Sequence, residues 1–435
     1  MNSKSDPAMQ NPAAQPESRS SALPFVRHPE THSPEVRGAS DAPIHPRSNR
    51  ILHFNERTGL LCCEAGVTIE ELLNAFGLQG WFPIVHPETQ SMTVGEAVAF
   101  DVSGYNQYRD GSFGRYVRRL SVALASGETV LCSREQHSDL FWATVGGMGL
   151  TGTLVEIELF LRPVETAYCK TLTLKTRDLL ETLALFEKRT SYCQYAVAWV
   201  DCLASGDFLG RSLLTLGNDA TVEELHRRQR VRPFALETHR QSVPFALPSG
   251  GWNRYAAGLW NELHYYRQRA PQTEAIFNFN SFFYANDASG HQRDGNSELI
   301  RYQCAIPTSV SREGLTCILK FLGSKGNAPA SAVLQRVQKG EGWLSFPMPG
   351  YSLTMDVSLS AETGDLLAQL DRIVLEYGGC VKLTEDSRLH PAVLRRMYPN
   401  FDRWLQVKSL VDPDHHYPAL SEGLHFPSVW GAMAA

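Results

Sequence analysis

The first part of the folded chain predicts strands joined by short turns. Residues 50–54 and 60–64 are largely apolar segments on either side of a polar turn, which is typical of a hairpin. Residues 119–124 and 129–132 flank the turn sequence Ala-Ser-Gly-Glu and predict a second hairpin. A longer apolar segment at 154–161 predicts another strand. Further extended segments follow at 213–216, 299–306 and 352–359.

Helix signals lie between these strands. Thr68 and Glu71 form a capping box, in which the two side chains accept hydrogen bonds from otherwise unpaired backbone N–H groups. Apolar residues continue this helix to Phe76, and Gly77 ends it. The mixed order of strands and helices predicts an α+β fold, with a domain boundary at Pro163. Other helices are predicted over 140–145, 176–188 and 366–377.

The first 50 residues differ from the rest of the chain. They contain eight of the 24 prolines and eight serines, with few large apolar side chains. Such a segment cannot bury enough surface to offset the conformational entropy lost on ordering. We therefore expect a disordered leader over residues 1–46.

Overall composition limits the class of protein. The 435 residues are enough for two or three domains, and 43% hydrophobic with 20% charged residues exclude a largely disordered or fibrous protein. Lys and Arg number 41 against 46 Asp and Glu, so the formal net charge is -5. Because there is no basic excess to neutralise a phosphate backbone, nucleic acid is not an expected partner.

Targeting signals and cysteines point to an intracellular protein. No apolar run reaches the roughly 18 residues of a membrane-spanning helix, and the N-terminus has no apolar signal-peptide core. We therefore predict a cytoplasmic protein without a transmembrane segment. The nine cysteines are irregularly spaced and include no CxxC motif, so buried free thiols are expected.

Two clusters of small residues suggest a ligand site. The first extends over residues 86–99 and 111–114, and the second over 141–152. Small residues allow the backbone to approach a large planar or anionic ligand closely. Taken alone, either cluster could equally be a set of structural turns.

Together, and in this order before a strand, the two clusters resemble the flavin-binding domain of the vanillyl-alcohol oxidase/p-cresol methylhydroxylase superfamily. Later motifs make the chain similar to the decaprenylphosphoryl-β-D-ribose 2-oxidase family of that superfamily. The resemblance covers the chain from about Asn49 to about Phe426. These motifs lie at 209–217, 243–249, 344–350, 385–388, 397–399 and 411–413.

The resemblance implies a two-domain fold of the p-cresol methylhydroxylase type. An FAD-binding domain would comprise residues 47–165 and 381–435, with its N-terminal part truncated. A substrate domain with an antiparallel sheet, inserted at 166–380, would complete the fold. The implied activity is an FAD-dependent oxidoreductase that oxidises a hydroxyl of a sugar or related alcohol by hydride transfer to the flavin.

Site residues follow from the resemblance position by position. Those expected to catalyse or to orient substrate are Tyr105, Gln303, Lys382 and Glu385. Those expected to bind the cofactor are Thr89, Thr93, Gly95, Ala99, Asp101, Gly104, Asn106, Gly149, Gly152 and Leu154.

The phosphate-binding side departs from the family pattern. Relatives carry a Gly-x-Gly-Arg-Ser-Tyr-Gly-Asp loop, whose backbone N–H groups hold the FAD pyrophosphate. The complete motif is absent here, and residues 36–43 are at most a shortened remnant. Losing charge-assisted hydrogen bonds of about 1.5–3 kcal/mol each would cost several kcal/mol of FAD affinity. The family also uses a histidine of this loop for covalent attachment, so any FAD is expected to be non-covalent.

The catalytic side departs as well. A His-Gly-Lys-Asn run of the family corresponds to residues 103–106, Ser-Gly-Tyr-Asn. Glu385 stands where the family has a lysine that offers positive charge to the flavin, and an ionised glutamate would oppose reduction. Lys382 stands in place of a family tyrosine. Gln335 replaces a substrate-domain lysine, and Thr354 aligns with the family's cysteine.

These departures leave a second hypothesis open. The chain would then be a flavin-poor or non-redox paralogue, acting as a partner subunit or on a glycosyl-like ligand. A third explanation is an incomplete gene model, with the true N-terminus missing or supplied separately. The first hypothesis expects a small-molecule substrate, and the second adds a protein partner.

Two other groups of residues were weighed against simpler explanations. His415 and His416, with Asp412 and Asp414, suggest a metal site, but adjacent histidines seldom converge on one ion, so a solvated turn is favoured and no metal is expected. The Gly-x-Ser-x-Gly motif of hydrolases is absent from the sequence, so a hydrolase is not expected.

An aromatic stretch comprises Trp252, Tyr255, Trp260, Tyr265 and Tyr266. It is equally consistent with a border of the substrate channel and with a core or lid segment.

Overall fold

The structure of the chain is a computed structural model. It describes residues 48–236, 254–284, 299–325, 329, 331–346, 348–360, 362–383, 389, 391–414 and 416–417. Several predictions lie outside these residues: the leader, the phosphate-loop remnant at 36–43, the motif at 243–249, Trp252, Glu385 and His415.

The first sheet is antiparallel and is built from the N-terminal part of the described chain. Its strands are β1 (Ile51–Asn55), β2 (Leu60–Glu64), β3 (Trp81–Pro83), β4 (Val117–Ala123), β5 (Thr129–Ser133) and β6 (Thr153–Pro163). They follow the order β1-β2-β6-β4-β5, and β3 pairs with the end of β6. The predicted hairpins and the predicted strand at 154–161 are confirmed by this sheet. We call it the small sheet.

Four helices belong to this part of the chain: α1 (Ile69–Phe76), α2 (Val94–Ala99), α3 (Gln107–Asp110) and α4 (Ser138–Thr144). The predicted capping box is present, because the Glu71 N–H donates to Thr68 Oγ1 at 3.1 Å and the Thr68 N–H donates to the Glu71 carboxylate at 2.8 Å. Thr93 and Glu96 form the same motif at the start of α2. The hydroxyl of Thr93 is therefore engaged in capping.

The second sheet is larger and also antiparallel. Its strands are β7 (Tyr168–Thr176), β8 (Tyr195–Asp201), β9 (Ser212–Asp219), β10 (Gln272–Asn278), β11 (Leu299–Pro307), β12 (Ser331–Val337), β13 (Gly350–Ser358) and β14 (Cys380–Val381). They follow the order β10-β7-β9-β8-β12-β13-β11-β14. We call it the large sheet.

Eight further helices accompany the large sheet. They are α5 (Leu179–Arg189), α6 (Arg227–Arg230), α7 (Arg254–Arg267), α8 (Phe279–Phe283), α9 (Ser311–Ser324), α10 (Thr363–Glu376), α11 (Pro391–Met397) and α12 (Phe401–Val411). Helices α5, α9 and α10 pack on one face of the sheet, where alternate strand residues such as Leu334 and Leu353 form an apolar core. The predicted helix at 366–377 is confirmed as α10. The one predicted from Thr176 begins later, because Thr176 still belongs to β7 and Asp178 caps α5.

The opposite face of the large sheet contributes to a second apolar core. This core joins residues of the small sheet, such as Leu61 and Ile157, to Tyr195, Trp199 and Val333 of the large sheet. Because one core serves both sheets, the two sheets are held together by apolar contact. The described residues belong to one compact unit, so the predicted domain limits stay a prediction.

The helices at the end of the described chain return to α4. The indole Nε1 of Trp404 in α12 donates to the Ala143 carbonyl at 3.0 Å. Arg403 forms an exposed ion pair with Asp139. These contacts place the C-terminal helices beside the second glycine cluster.

The nine cysteines of the chain all lie within the described residues. All nine cysteines are free thiols and seven are buried, which confirms the predicted environment. None of the described helices combines the length and the apolar character that crossing a bilayer requires.

Asp101 connects the two sheets through a buried carboxylate. Oδ2 accepts hydrogen bonds from Ser112 Oγ at 2.7 Å and from the Glu341 N–H at 2.9 Å, and Oδ1 accepts one from the Gly114 N–H at 2.7 Å. Asp101, two residues beyond the end of α2, adopts a positive φ of 43°. Its hydrogen bonds join a loop next to the small sheet to the segment between β12 and β13.

We predict that Asp101→Ala lowers the free energy of unfolding by about 3 kcal/mol, because three buried donors lose their acceptor. Urea unfolding followed by tryptophan fluorescence measures this change. Asp139→Ala is the matched control, and an exposed pair of this kind contributes less than about 1 kcal/mol. Equal losses in both variants would show that Asp101 adds no special stability.

Candidate active site

One face of the large sheet carries a row of side chains that are neighbours across five strands. The register pairs Trp199 with Val333 and Val333 with Thr354. Thr354 in turn pairs with Gln303. The N–H of Lys382, just after β14, donates to the Gln303 carbonyl at 2.8 Å. Directly paired residues share a face, with Cβ atoms about 5 Å apart, and we call these five residues the sheet-face row.

The next positions on this face extend the polar surface. Gln303 Nε2 donates to Ser352 Oγ at 2.9 Å, and Ser352 pairs with Gln335 on β12. Gln335 and Thr354, which stand where relatives have a lysine and a cysteine, therefore lie on the same face as Gln303. Amide and hydroxyl groups of this kind donate and accept hydrogen bonds without carrying charge.

Arg301 lies two residues before Gln303 and shares its face. Its guanidinium makes a bidentate pair with Asp356, with Nε–Oδ1 at 2.8 Å and Nη2–Oδ2 at 3.0 Å. Nη1 contacts the carboxylate of Glu88, which follows β3 of the small sheet. The charge of Glu88 is the largest cause of a raised pKa at Arg301. Arg301 thus links the large sheet to the loop that precedes α2.

Tyr105 approaches the same region from the loop before α3. Its carbonyl accepts a hydrogen bond from the Ala196 N–H of β8 at 3.0 Å. Its ring lies against Phe282 and Phe283 of α8, with centroids 5.7 and 6.1 Å apart. Burial raises the pKa of Tyr105, and the charge of Glu88 adds to this effect while Arg301 opposes it. The phenol is therefore neutral at physiological pH.

Lys382 is half-buried beside these charges. Burial lowers the pKa of its ammonium, the charge of Glu88 raises it, and Arg301 lowers it further. Lys382 continues the register of β14 opposite Gln303, so its side chain lies on the face that carries Gln303. Gln303 and Lys382, two of the four residues predicted to catalyse or orient substrate, are therefore neighbours, and the charges of Glu88 and Arg301 act on both Lys382 and Tyr105.

Three buried polar atoms near this face have no hydrogen-bond partner among the described residues: His86 Nε2, Asn106 Oδ1 and Trp199 Nε1. His86 stacks on Phe283 at 4.0 Å, and its Nδ1 lies 3.1 Å from the Tyr284 hydroxyl. Burial holds the pKa of His86 well below its usual range, so the ring is neutral. An unsatisfied buried polar atom costs about 1–3 kcal/mol unless a ligand or water pairs with it.

The two glycine clusters meet in the structure. The Met148 N–H donates to the Ala99 carbonyl at 2.8 Å, and the Gly146 N–H donates to the Val98 carbonyl at 3.0 Å. Gly149 of the second cluster has a φ of 72°, which favours glycine. The sequence clusters therefore belong to one region next to α2.

Several predicted cofactor residues have structural roles. A Cβ at Gly95 would lie 3.0 Å from Ala65, and one at Gly104 would lie 3.0 Å from the His86 carbonyl. Gly152 has a φ of 149° and packs on Ala123. Leu154 is buried in the core of the small sheet. Packing within the chain explains these residues, so their contact with a cofactor stays a prediction.

Two polar residues of the predicted cofactor-binding set lie in different environments. Thr89 and Ser91 share a hydrogen bond near the surface, with their hydroxyl oxygens 2.9 Å apart. Asn106 is buried, and its Nδ2 donates to the Ile84 carbonyl and to Asp110, at 2.9 and 2.8 Å. Among the predicted cofactor residues in the described part of the chain, Asn106 has a buried side-chain oxygen without a hydrogen-bond partner.

Sequence reasoning missed the charged part of the site. Glu88 fell inside the first cluster of small residues, and Arg301 and Asp356 fell inside predicted strands, with no role assigned to any of them. Strand alternation offers a signal for Arg301, because residues two apart share a face with Gln303. No sequence signal indicates that Glu88 and Asp356 meet at this arginine.

Comparisons with known proteins identify the family. A family model described as an FAD binding domain matches residues 36–133. The chain is 32% identical over 377 residues to decaprenylphosphoryl-beta-D-ribose oxidase of Mycolicibacterium smegmatis, covering 85% of this chain and 81% of the relative. The chain belongs to the FAD-linked oxidases of the vanillyl-alcohol oxidase/p-cresol methylhydroxylase family. It is an FAD-dependent oxidoreductase acting on CH–OH groups.

Other relatives cover different shares of the chain. An uncharacterized protein in the mprA 5' region of Streptomyces coelicolor is 32% identical over 360 residues, covering 80% of this chain and 96% of the relative. A putative D-arabinono-1,4-lactone oxidase of Neurospora crassa is 26% identical over 109 residues, which is 25% of this chain and 19% of the relative. The names of the two relatives described as oxidases state different substrates.

The described residues fit the ring system of FAD, the cofactor of this family. An isoalloxazine offers carbonyl acceptors and one N–H donor, and the unpaired Trp199 Nε1, His86 Nε2 and Asn106 Oδ1 include complementary groups. Lys382 adds a cation. The family match begins at residue 36, and residues 36–47 lie outside the described residues.

We predict a favourable coupling between Arg301 and Asp356. Because Arg301 is about one-third exposed, a double-mutant cycle with Arg301→Gln and Asp356→Asn should give about 1–2 kcal/mol in urea unfolding. The exposed pair Arg403–Asp139 is the control, with an expected coupling below about 0.5 kcal/mol. A coupling at Arg301 no larger than in the control would contradict a structural link through this guanidinium.

Proposed function

We propose that the enzyme oxidises a hydroxyl of a sugar or related alcohol, and that the sheet-face row with Tyr105 forms its substrate site. Two relatives support a sugar-derived substrate, since their names state a ribose derivative and an arabinonolactone. The observation that carries the proposal is the row itself. It places an indole, a threonine hydroxyl, an amide and an ammonium side by side on one face.

The groups of the row suit a sugar. Gln303 and Thr354 bind hydroxyl groups, because amides and hydroxyls both donate and accept hydrogen bonds. Trp199 is fully buried against Trp260 and His264 and forms the apolar end of the row. Bound FAD supplies the acceptor for the hydride that leaves the alcohol carbon.

Lys382 supplies positive charge to the site. Arg301 is already paired with two carboxylates, so its charge is largely compensated. No hydrogen bond or ion pair engages the ammonium of Lys382 within the described residues. A preorganised cation stabilises negative charge that develops during reduction. We assign this role to Lys382, while the effect of Glu385 on the same charge stays a prediction.

An absorption spectrum tests cofactor and substrate together. Purified protein, incubated with excess FAD and desalted, should keep a flavin band at about 450 nm. A panel of sugars and sugar alcohols added without oxygen should bleach this band for at least one member. A folded protein that retains FAD but is bleached by none of them contradicts a sugar-hydroxyl substrate. A flat spectrum after incubation favours the flavin-poor alternative.

Replacing Lys382 tests its charge. We expect Lys382→Met to slow flavin reduction about 100-fold, because one preorganised electrostatic group is lost. Lys382→Arg should retain most of the rate. Lys320→Met, which removes an exposed lysine of α9, is the control and should leave the rate unchanged. Rates within threefold of the parent in Lys382→Met would contradict the role.

The pH dependence gives a second signature of the same charge. Burial lowers the pKa of Lys382 from its ordinary value, so the ammonium loses its charge at a lower pH than that of an exposed lysine as pH rises. Flavin reduction should therefore decrease at alkaline pH in the parent enzyme. This alkaline decrease should be absent in Lys382→Arg, because a guanidinium stays charged throughout that range. An unchanged profile in Lys382→Arg would show that another group titrates.

A further inference from the structure

The ion pair between Glu88 and Arg301 lies beside the sheet-face row. Glu88 belongs to the loop between β3 and α2, and Arg301 lies on β11, two residues before Gln303 on the same face. The pair therefore connects the small-sheet side of the candidate site to the large sheet. A substrate held by Gln303 would lie next to this pair.

The two sides of the Arg301 guanidinium are held in different ways. Asp356 stands directly opposite Arg301 on β13, is only 15% exposed, and accepts from Nε and Nη2 at 2.8 and 3.0 Å. Glu88 accepts from Nη1 through one oxygen, and its side chain is 46% exposed. A shielded bidentate pair keeps its geometry, whereas an exposed single contact contributes little. Glu88 is therefore the partner that Arg301 can exchange.

The charges described around Gln303 sum to zero while Glu88 is in place. Arg301 and Lys382 contribute two positive charges. Asp356 and Glu88 contribute two negative charges. The charges of Glu88 and Arg301 act on Lys382 in opposite senses, so its ammonium lies within electrostatic reach of the pair. When Glu88 leaves, one net positive charge faces the site, and an anionic group of a ligand restores the balance.

We propose that Arg301 determines substrate specificity by binding a carboxylate of the substrate, and that Glu88 occupies this position in the free enzyme. The substrate class is a sugar acid, with hydroxyl groups for Gln303 and Thr354 and a carboxylate for Arg301. A planar carboxylate fits the edge of the guanidinium that Glu88 now fills. This inference rests on the proposed function and deepens it, since it concerns the same substrate site.

Charge favours a carboxylate over a phosphate monoester. The internal ligand, Glu88, is planar and carries one negative charge, and a substrate carboxylate reproduces both properties. A phosphate monoester carries about −1.5 to −2 at pH 7, more than the single charge that Glu88 releases. Exchange of Glu88 is easy, because an exposed ion pair changes an equilibrium only about two- to fivefold.

Isothermal titration calorimetry with two matched ligands tests the proposal. D-Gluconate and D-glucitol have the same carbon chain, and only gluconate carries a carboxylate. The full chain, incubated with FAD and desalted, should bind gluconate at least about tenfold more tightly than glucitol. Arg301→Gln should remove this preference. Arg403→Gln, which alters an exposed arginine of α12, is the control and should preserve it.

Glu88→Gln should change the affinity in the opposite direction. Without the internal carboxylate, gluconate no longer competes for Arg301, so it should bind about fivefold more tightly. Glu70→Gln, at an exposed glutamate of α1, is the control and should leave the affinity unchanged. A gain in affinity cannot come from misfolding, so this variant decides the test even where Arg301→Gln is unstable.

Three results would overturn the proposal. Equal affinity for gluconate and glucitol excludes a substrate carboxylate at Arg301. Weaker binding of both ligands in Glu88→Gln would instead assign Glu88 to a sugar hydroxyl. Inorganic phosphate that binds as tightly as gluconate and responds to the same variants would replace the carboxylate by a phosphate group.

Failure of the proposed oxidation gives a different result, because calorimetry measures binding without turnover. Tight gluconate binding that depends on Arg301, in a protein whose flavin no sugar bleaches, would contradict oxidation of a sugar hydroxyl and support the carboxylate site.

Discussion

The register of the large sheet determines where the chemistry of this enzyme lies. Antiparallel pairing places Trp199, Val333, Thr354 and Gln303 side by side, and a shift of one residue would turn each of them into the core under α5, α9 and α10. That core holds the register, because its apolar residues occupy the alternate positions of the same strands. Packing on one face therefore positions polar groups on the other.

A second constraint holds the small sheet against this polar face. The shared core that includes Leu61 and Val333 joins the sheets by apolar burial, and polar contacts then define their alignment. Asp101 binds the segment before β13, and Glu88 reaches Arg301 on β11. Both carboxylates come from loops that the sequence associates with flavin. They show that these loops also serve as connectors between the sheets.

Two residues that depart from the expected family pattern have defined surroundings in the structure. Tyr105, in a position where relatives carry a lysine, packs on Phe282 and Phe283 as a neutral ring. Lys382, where relatives carry a tyrosine, lies beside Gln303. The correspondence expected from the sequence would thus remove a cation from one side of the site and add one on another. Family membership and a changed distribution of charge are consistent with an oxidase that accepts a different substrate.

Sequence by itself determined the local elements, the α+β class and the flavin family. Capping boxes, turns and short motifs depend on residues that are close together in the chain. The first hairpin and the capping box of α1 are examples. Only the tertiary structure decided that Glu88, Arg301 and Asp356 meet, and that Gly95 and Gly104 are explained by packing. These features depend on contacts between residues far apart in the chain, which local pattern and composition do not encode.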